Sequence, residues 1–328
     1  RAEDLFSNQS RAEIIEGELF APLPRAHETL RAHVTQVGGR LLVRPLDGAG
    51  ELRSLTASAN GLIVDADPKS ARVKVRLLKG REAMRRQIVL GGCDPAMFLA
   101  AQHLGKHDKD HLMPCMMGNS LALAALKHGE VHVAGVHLVD ERSGAWNFRE
   151  LRRALGGLDC IVVTFAHWEE GIIVRHGNLK KIRSVPDLAR PMVRLINRDK
   201  GSGARRLLDR ELQSVGIPSK RVKGYADEVF SHLEVASRIK SGLADAGVGV
   251  RAAATICGLD FVPLQRERYD LVIPKTHYES LPGLRSLLDV IVSKSFRDEL
   301  EALGNYDTRE TGRIVESVPN STPSTMRH

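Results

Sequence analysis

Apolar and polar positions alternate with a period of two in several runs between Phe20 and Leu78. His33-Val-Thr-Gln-Val37 alternates, Gly38-Gly39 turns, and Arg40-Leu-Leu-Val-Arg-Pro45 runs back, which predicts a hairpin. Gly48-Ala-Gly50 breaks the chain, and Ser54-Leu-Thr-Ala-Ser-Ala59 reads as a short polar helix or turn. Leu62-Ile-Val64 and Arg72-Val-Lys-Val-Arg-Leu-Leu78 add further strands. Residues 20–80 are therefore expected to form a small all-β domain. Residues 1–19 precede it as a polar segment with helical character at Ala12-Glu-Ile-Ile-Glu16, and residues 81–87 follow it as a charged linker.

From Ile88 onward apolar runs of strand length alternate with helical periodicity, which predicts an α/β fold. Strands are expected at Ile88-Val-Leu90, Leu112–Met117, Val131–Leu138, Met192–Ile196, Val222–Tyr225 and Ala244–Val250. Cys160–Phe165 and Gly171–Val174 read as two strands around a turn at Trp168-Glu-Glu170. Phe261–Leu264 and Tyr269–Pro274 read as two more. The Leu207, Leu208, Leu212 and Val215 spacing predicts a helix after the Gly-Ser-Gly turn, and His232–Gly242 predicts another closed by its glycine. Residues 307–328, rich in Ser, Thr, Pro and Arg, read as a disordered tail.

The balance of 48 Lys+Arg against 40 Asp+Glu gives a net charge of +8, which favours anionic partners. There is no basic block with interleaved aromatics, so the sequence does not point to nucleic acid. No apolar run reaches transmembrane length, and a membrane role is not expected. The four cysteines lie far apart with no Cys-x-x-Cys pair, which fits a reducing, cytoplasmic compartment. The chain starts at Arg1 and not at Met, which leaves open that it is a piece of a longer protein.

Three glycine-punctuated junctions between strand and helix stand out: Gly92-Cys-Asp94, Gly118-Asn-Ser120 and Gly201-Ser-Gly203. A helix start leaves free N–H groups and the positive end of the helix dipole, a place for an anion. Ser202, Gly203, Ala204 and Arg205 could hold an oxyanion, with Arg198 adding charge; the alternative is an ordinary turn whose arginines face solvent. Asn119 and Ser120 could approach from a second lobe, with Cys93 close to the first helix start. Asp94 reads as an N-cap, because a carboxylate facing an oxyanion repels it. His232 either donates to the anion or caps its helix. His103, His107 and His111 lie four apart, but Gly105 and Lys106-His-Asp-Lys-Asp110 put a helix end and a loop between them, and no metal site is expected. There is no Gly-x-Ser-x-Gly elbow and no phosphate-binding Gly-x-x-x-x-Gly-Lys loop, so no catalysis is expected in this chain.

Two resemblances extend this reading. Gly91-Gly-Cys-Asp-Pro-Ala96, Gly129–Leu138, Glu170-Gly-Ile-Ile-Val174, Asn197-Arg-x-x-Gly-Ser-Gly-Ala-Arg205, Ser231-His-Leu-x-Val-Ala236, Ser241–Gly249 and Arg268–Pro274 resemble the type II periplasmic-binding-protein superfamily. The closest likeness is to PBP-like domains related to molybdate- and tungstate-binding proteins. Arg31-Ala-His-Val34, Gly39–Pro45, Ala59–Val64 and Val73–Leu78 resemble the C-terminal β-domain of the molybdopterin molybdotransferases. The first resemblance implies a two-lobed domain over 88–306, with lobe 1 at about 88–166 plus 267–306 and lobe 2 at about 167–266. It implies a cleft that closes by a hinge, with Cys93, Asn119, Ser120, Arg198, Ser202, Gly203, Ala204, Arg205 and His232 as ligand contacts. Ala204 stands where tungstate binders have Thr. Together the resemblances imply a cytoplasmic module that binds molybdate or tungstate for molybdenum-cofactor biosynthesis. No tightly bound cofactor is implied; molybdopterin is a further candidate ligand, and cofactor-biosynthesis proteins are candidate partners. Two alternatives stay open: the C-terminal part of a full molybdopterin molybdotransferase, or the effector-binding part of a transcriptional regulator.

Overall fold

The computed structural model describes residues 13–19, 29–46, 58–66, 71–107, 110–137 and 148–318. The chain divides into two compact units, Arg1–Gln87 with Lys109–His111, and Ile88–Asp108 with Leu112–His328.

The first unit is a closed five-stranded barrel of β1 (Ile14–Leu19), β2 (Leu30–Val37), β3 (Arg40–Pro45), β4 (Gly61–Ala66) and β5 (Arg72–Leu77). The expected hairpin is there, with β2 antiparallel to β3 and Val37 opposite Arg40. Alternate residues Val34, Val43, Ile63, Val73 and Val75 fill the interior. Two expectations are corrected. The end of the N-terminal segment is a strand and not a helix: Ile15 and Gly17 point inward with period two, and β1 pairs with β5 through Ile15 and Val75. Two adjacent isoleucines in a short run do not distinguish the two periods. The linker is also structured, as a one-turn helix α1 (Arg81–Arg85) that buries Met84 in the barrel core. Most of the Ser54–Ala59 expectation, and Gly48–Gly50, lie outside the described residues.

The second unit is built on a seven-stranded sheet. Its path runs β12 (Ala246–Val250), β9 (Cys160–Val174), β13 (Asp260–Pro274), β8 (Val133–Val136), β6 (Gln87–Gly92) and β7 (His111–Met116), with β14 (Ile314–Val318) beside β9. Helices α2 (Met97–His107), α3 (Asn119–Lys127), α4 (Phe148–Leu155), α5 (Gly203–Ser214), α6 (His232–Lys240) and α7 (Arg251–Cys257) connect the strands. Three more, α8 (Lys275–Ser280), α9 (Pro282–Val292) and α10 (Lys294–Ala302), follow β13. A short parallel pair, β10 (Asn197–Arg198) and β11 (Glu228–Val229), stands apart from the sheet.

The two long strands join the lobes. The first part of β9 pairs with the second part of β13, Val162 opposite Val272, and belongs to one lobe. The last part of β9 pairs with β12 and the start of β13, Ile172 opposite Val248 and Val262, and belongs to the other. Register shifts between Pro263 and Gln265 and between Tyr269 and Asp270 bend β13 where it passes between them. The expected turn at Trp168-Glu-Glu170 is therefore strand, as is the gap between Leu264 and Tyr269. Charged residues inside an apolar run imitate a turn, yet here the strand carries them into a polar interior. Around the first lobe, Met97, Leu104, Leu284, Ile291 and Phe296 pack together. In the second, Leu207, Leu208, Leu212 and Val222 pack beneath β12 and the end of β9.

Three further expectations are corrected. The expected strand at Met192–Ile196 makes only an isolated bridge, Leu195 to Ala246; the strand is the next two residues, Asn197–Arg198, paired with Glu228–Val229. Val222–Tyr225 is a set of turns beside it. Residues 307–318 are ordered and not a tail. Val318 pairs with Cys160, and Thr311 donates to the Phe165 carbonyl, so this segment covers the β9 edge that β12 does not reach. Residues 319–328 lie outside the described residues. Among the described residues no helix is long and apolar enough to cross a membrane.

Candidate functional site

Four elements deliver polar side chains to one buried region between the lobes. Cys93 and Asp94 follow β6, His137 follows β8, Trp168 and Glu170 lie on β9, and Glu267 and Tyr269 lie on β13. The second lobe adds Arg198 from β10 and His232 from the first turn of α6. Cys93, His137, Trp168, Glu170, Arg198 and His232 are each 2% exposed or less.

His137 is the centre of the cluster. Its ring lies 5.0 Å from Trp168 and 6.3 Å from His232, and Trp168 lies 5.9 Å from His232, centroid to centroid. Its Nδ1 makes a short hydrogen bond to a Glu267 carboxyl oxygen, with a Glu170 oxygen 3.9 Å away. Asn119 holds the backbone at this point: its amide donates to the His137 carbonyl at 2.5 Å and its oxygen accepts from the His137 N–H. Gly203 at the start of α5 makes room for the ring. A Cβ there would lie 2.1 Å from His137 Cε1, so this glycine is fixed by the approach of the two lobes. Gly92 serves a similar purpose within one lobe, where a Cβ would lie 2.1 Å from the Tyr269 hydroxyl. That hydroxyl accepts from the Cys93 N–H at 3.2 Å, so the first glycine junction is shaped by a tyrosine.

Burial sets the protonation of these groups in opposite directions. It disfavours a charged His137, but the attraction of Cys93, Glu267 and Glu170 outweighs it and holds the imidazolium pKa well above its usual value. Burial first, then repulsion by Glu267, pushes Glu170 up to about 8. Burial, with Arg198 and His137 nearby, pushes His232 well below its usual value. Asp94 is pushed up to about 6, also by burial, against hydrogen bonds from Tyr306 at 2.6 Å and the Ala96 N–H at 2.8 Å.

Many of these atoms have no hydrogen-bond partner among the described residues: His137 Nε2, both His232 ring nitrogens, Trp168 Nε1, Arg198 Nη1, both Glu170 oxygens and Asp94 Oδ2. Leaving one such buried group unpaired costs about 1–3 kcal/mol. A cluster of them in one place is a strong signal of a binding site.

The expected contacts divide into three groups. Arg198 and His232 enter this chamber with Cys93. Arg198 is anchored by Asp199 and by the Phe230 carbonyl at 3.0 Å, which leaves Nη1 directed elsewhere. His232 does not cap its helix, because Ser231 does. Asn119, Ser120, Ser202 and Gly203 shape the junction. The Ser202 hydroxyl is committed to capping α5, donating to the Asp199 carbonyl and accepting from Arg205 N–H. Ser120 donates to the Gly201 carbonyl at 3.3 Å, joining the lobes. Two expected contacts are corrected. Arg205 is spent on Glu228 at 3.0 Å, Asp209, Tyr225 and the Arg198 carbonyl, with its guanidinium stacked 4.1 Å over the Tyr225 ring. Ala204 faces the apolar core of the second lobe, so the absence of a hydroxyl there costs the chamber nothing. His103 pairs with Glu299 at 2.7 Å, away from this site.

His137, Trp168, Glu170 and Glu267 were not expected as site residues. The sequence carries a signal for Glu170 alone, as an acid set between two apolar runs of β9; Glu267 lies in the polar stretch Gln265-Arg-Glu-Arg268, and His137 and Trp168 have no local signal.

Two lobes crossed by two strands, with a polar chamber between them, define the substrate-binding architecture of periplasmic binding proteins. Residues 101–292, more than half the chain, match the family described as a PBP superfamily domain, and the chain belongs to that superfamily. The Bacillus subtilis (strain 168) protein YvgK is 33% identical over 231 residues, 70% of this chain and 74% of YvgK. A Clostridium pasteurianum protein from the 5′ region of a 2Fe-2S ferredoxin gene is 44% identical over 113 residues, 34% of this chain and 99% of the relative. Among solved structures, a Clostridium perfringens protein described as a phosphate ABC transporter substrate-binding protein, with bound phosphate, aligns with a TM-score of 0.51. The two are 12% identical, over 67% of this chain and 99% of the other. That likeness is one of fold.

Proposed function

We propose that this chain is a cytoplasmic binding protein for a small oxyanion, molybdate or tungstate, serving molybdenum-cofactor biosynthesis. The observation that carries the anion reading is the set of buried nitrogen atoms without partners on Arg198, Trp168, His137 and His232. The three rings adjoin one another, and Arg198 acts electrostatically on both His232 and Glu170. Donors arranged in a dry site hold an anion without water competing for them. The phosphate in the Clostridium perfringens structure supports an oxyanion in this architecture by analogy. The molybdenum assignment rests on the resemblance of the PBP-like segment and the barrel to proteins of that pathway. Four free cysteines support a reducing compartment.

A thermal-shift series on the full chain with molybdate, tungstate, sulfate, phosphate and molybdopterin tests this. A ligand at 100 times its dissociation constant stabilises by about 2.7 kcal/mol. Molybdate or tungstate should give the largest shift. A larger shift with phosphate or sulfate removes the molybdenum assignment and keeps the oxyanion; no shift with any of them removes both.

A further inference from the structure

We propose that Cys93, His137 and His232 form a binding site for a thiophilic divalent cation such as zinc, with the lobes as its two halves. One ligand atom from each residue lies within 4.8 Å of the other two. Zinc–sulfur bonds of about 2.3 Å and zinc–nitrogen bonds of about 2.0–2.1 Å close such a triangle with side-chain movements on the order of 1 Å. One thiol with two imidazoles is a ligand set that suits zinc and copper and does not suit magnesium or calcium.

Three further observations point to an ion. His137 Nδ1 is already hydrogen-bonded to Glu267, which fixes the ring and leaves Nε2, without partner among the described residues, free to coordinate. This is the carboxylate–histidine arrangement that supports metal ligands. Neither nitrogen of the fully buried His232 has a partner among the described residues, an expensive state that coordination relieves. Glu170 and Glu267 add acidic groups beside the same imidazole, forming with it a second cluster of ligand atoms. Cys93 and His137 come from one lobe and His232 from the other, so the ion would clamp the lobes together.

When the ion binds, the Cys93 thiol loses its proton to solvent and its sulfur lone pair forms the metal bond. His137, held as an imidazolium in the free chain, likewise gives its Nε2 proton to solvent, and each neutral imidazole then contributes one nitrogen lone pair. Three protein ligands leave a fourth position open, the arrangement of sites that take up a further ligand. An oxyanion oxygen fits that position, with Arg198 Nη1 and Trp168 Nε1 holding the rest of the anion. The cation site goes beyond the oxyanion reading and does not depend on it: His137 Nε2, a donor to an anion in the metal-free chain, becomes a ligand when the ion is bound.

The test is anaerobic titration of the full chain with cobalt(II), a spectroscopic stand-in for zinc. The expected result is one ion per chain with a thiolate-to-cobalt charge-transfer band. The band should vanish in Cys93→Ser and weaken in His232→Ala. It should persist in Cys160→Ser, which removes a thiol outside the cluster. X-ray absorption of the zinc-loaded wild-type chain, which needs no variant to fold, should find one sulfur and two nitrogen ligands. No charge-transfer band in the wild type, or an unchanged band in Cys93→Ser, overturns the proposal. If oxyanions bind to chain free of metal and cobalt does not bind, the cation site fails and the oxyanion reading stands. If cobalt binds and no oxyanion does, the reverse holds.

Discussion

The barrel and the two-lobed domain both bury polar side chains, and they treat them differently. In the barrel, Asn60 accepts from the Val34 N–H at 2.6 Å and donates to the Val34 carbonyl at 2.8 Å and to Gln87 at 3.2 Å. Every atom of that amide is used to hold strands. In the interlobe chamber, nitrogen and oxygen atoms of six neighbouring residues have no partner among the described residues. Histidines show the same contrast. Burial and the nearby Arg44, Lys79 and Arg31 push His33 of the barrel down to about 4, so it is neutral at pH 7. His137 is kept charged by its acidic neighbours. Polar burial alone therefore does not mark a site; single buried atoms without a partner among the described residues occur elsewhere, as at Thr164 and Arg297, and it is their concentration in the chamber that marks one.

The sharpest way to break this contrast is to remove a chamber charge. Arg198→Gln should lower oxyanion affinity about 100-fold or more in calorimetry, the scale of losing a buried charge contact. Arg205→Gln, one helix start away, should cost stability through its ion pairs and leave affinity within a few-fold. Equal losses of affinity in both would contradict the division between them.

The barrel histidine comes next. His33 is neutral when folded, and the unfolded chain takes up a proton near pH 6.5. Its contribution is complete above pH 6.5 and is lost as pH falls toward about 4, at most about 3 kcal/mol. Amide exchange of barrel residues between pH 7 and 4.5 should show this loss, and His33→Leu should flatten it. A ring resonance that titrates near 6.5 in the folded protein would refute it.

Asn60→Ala should destabilise the barrel by about 1–3 kcal/mol, because it strands two buried backbone groups. Oxyanion affinity should not change, and a fall in affinity would be unexpected. The smallest effect concerns closure. Gly203→Ala puts a methyl group against the His137 ring, and affinity should fall about tenfold, the lower range of overpacking costs. Undiminished affinity would mean that ligand does not require this contact.

Much of the fold could be read from pattern alone. The β2–β3 hairpin shows period two and a Gly-Gly turn, and α5 shows leucines at helical spacing after its glycine turn. β9 could not be read as one strand, because it is buried on both faces and period two disappears. The site was half legible. Arg198 and His232 lie beside helix starts, where an anion is easily imagined. His137, Glu170 and Glu267 meet only through the pairing of β8, β9 and β13, which local pattern does not carry. Arg205 misled for a physical reason: an arginine in the first turn of a helix can serve the fold as readily as a ligand.

The central claim, that the chamber binds an oxyanion, is tested most directly by calorimetric titration of molybdate into the full chain and its Trp168→Phe variant. That substitution keeps an apolar ring and deletes the Nε1 donor. The account predicts one site per chain in the wild type and an affinity lower by about tenfold in the variant, the scale of one buried hydrogen bond to a charged group. No binding by the wild type, or equal affinity in the two proteins, would contradict it.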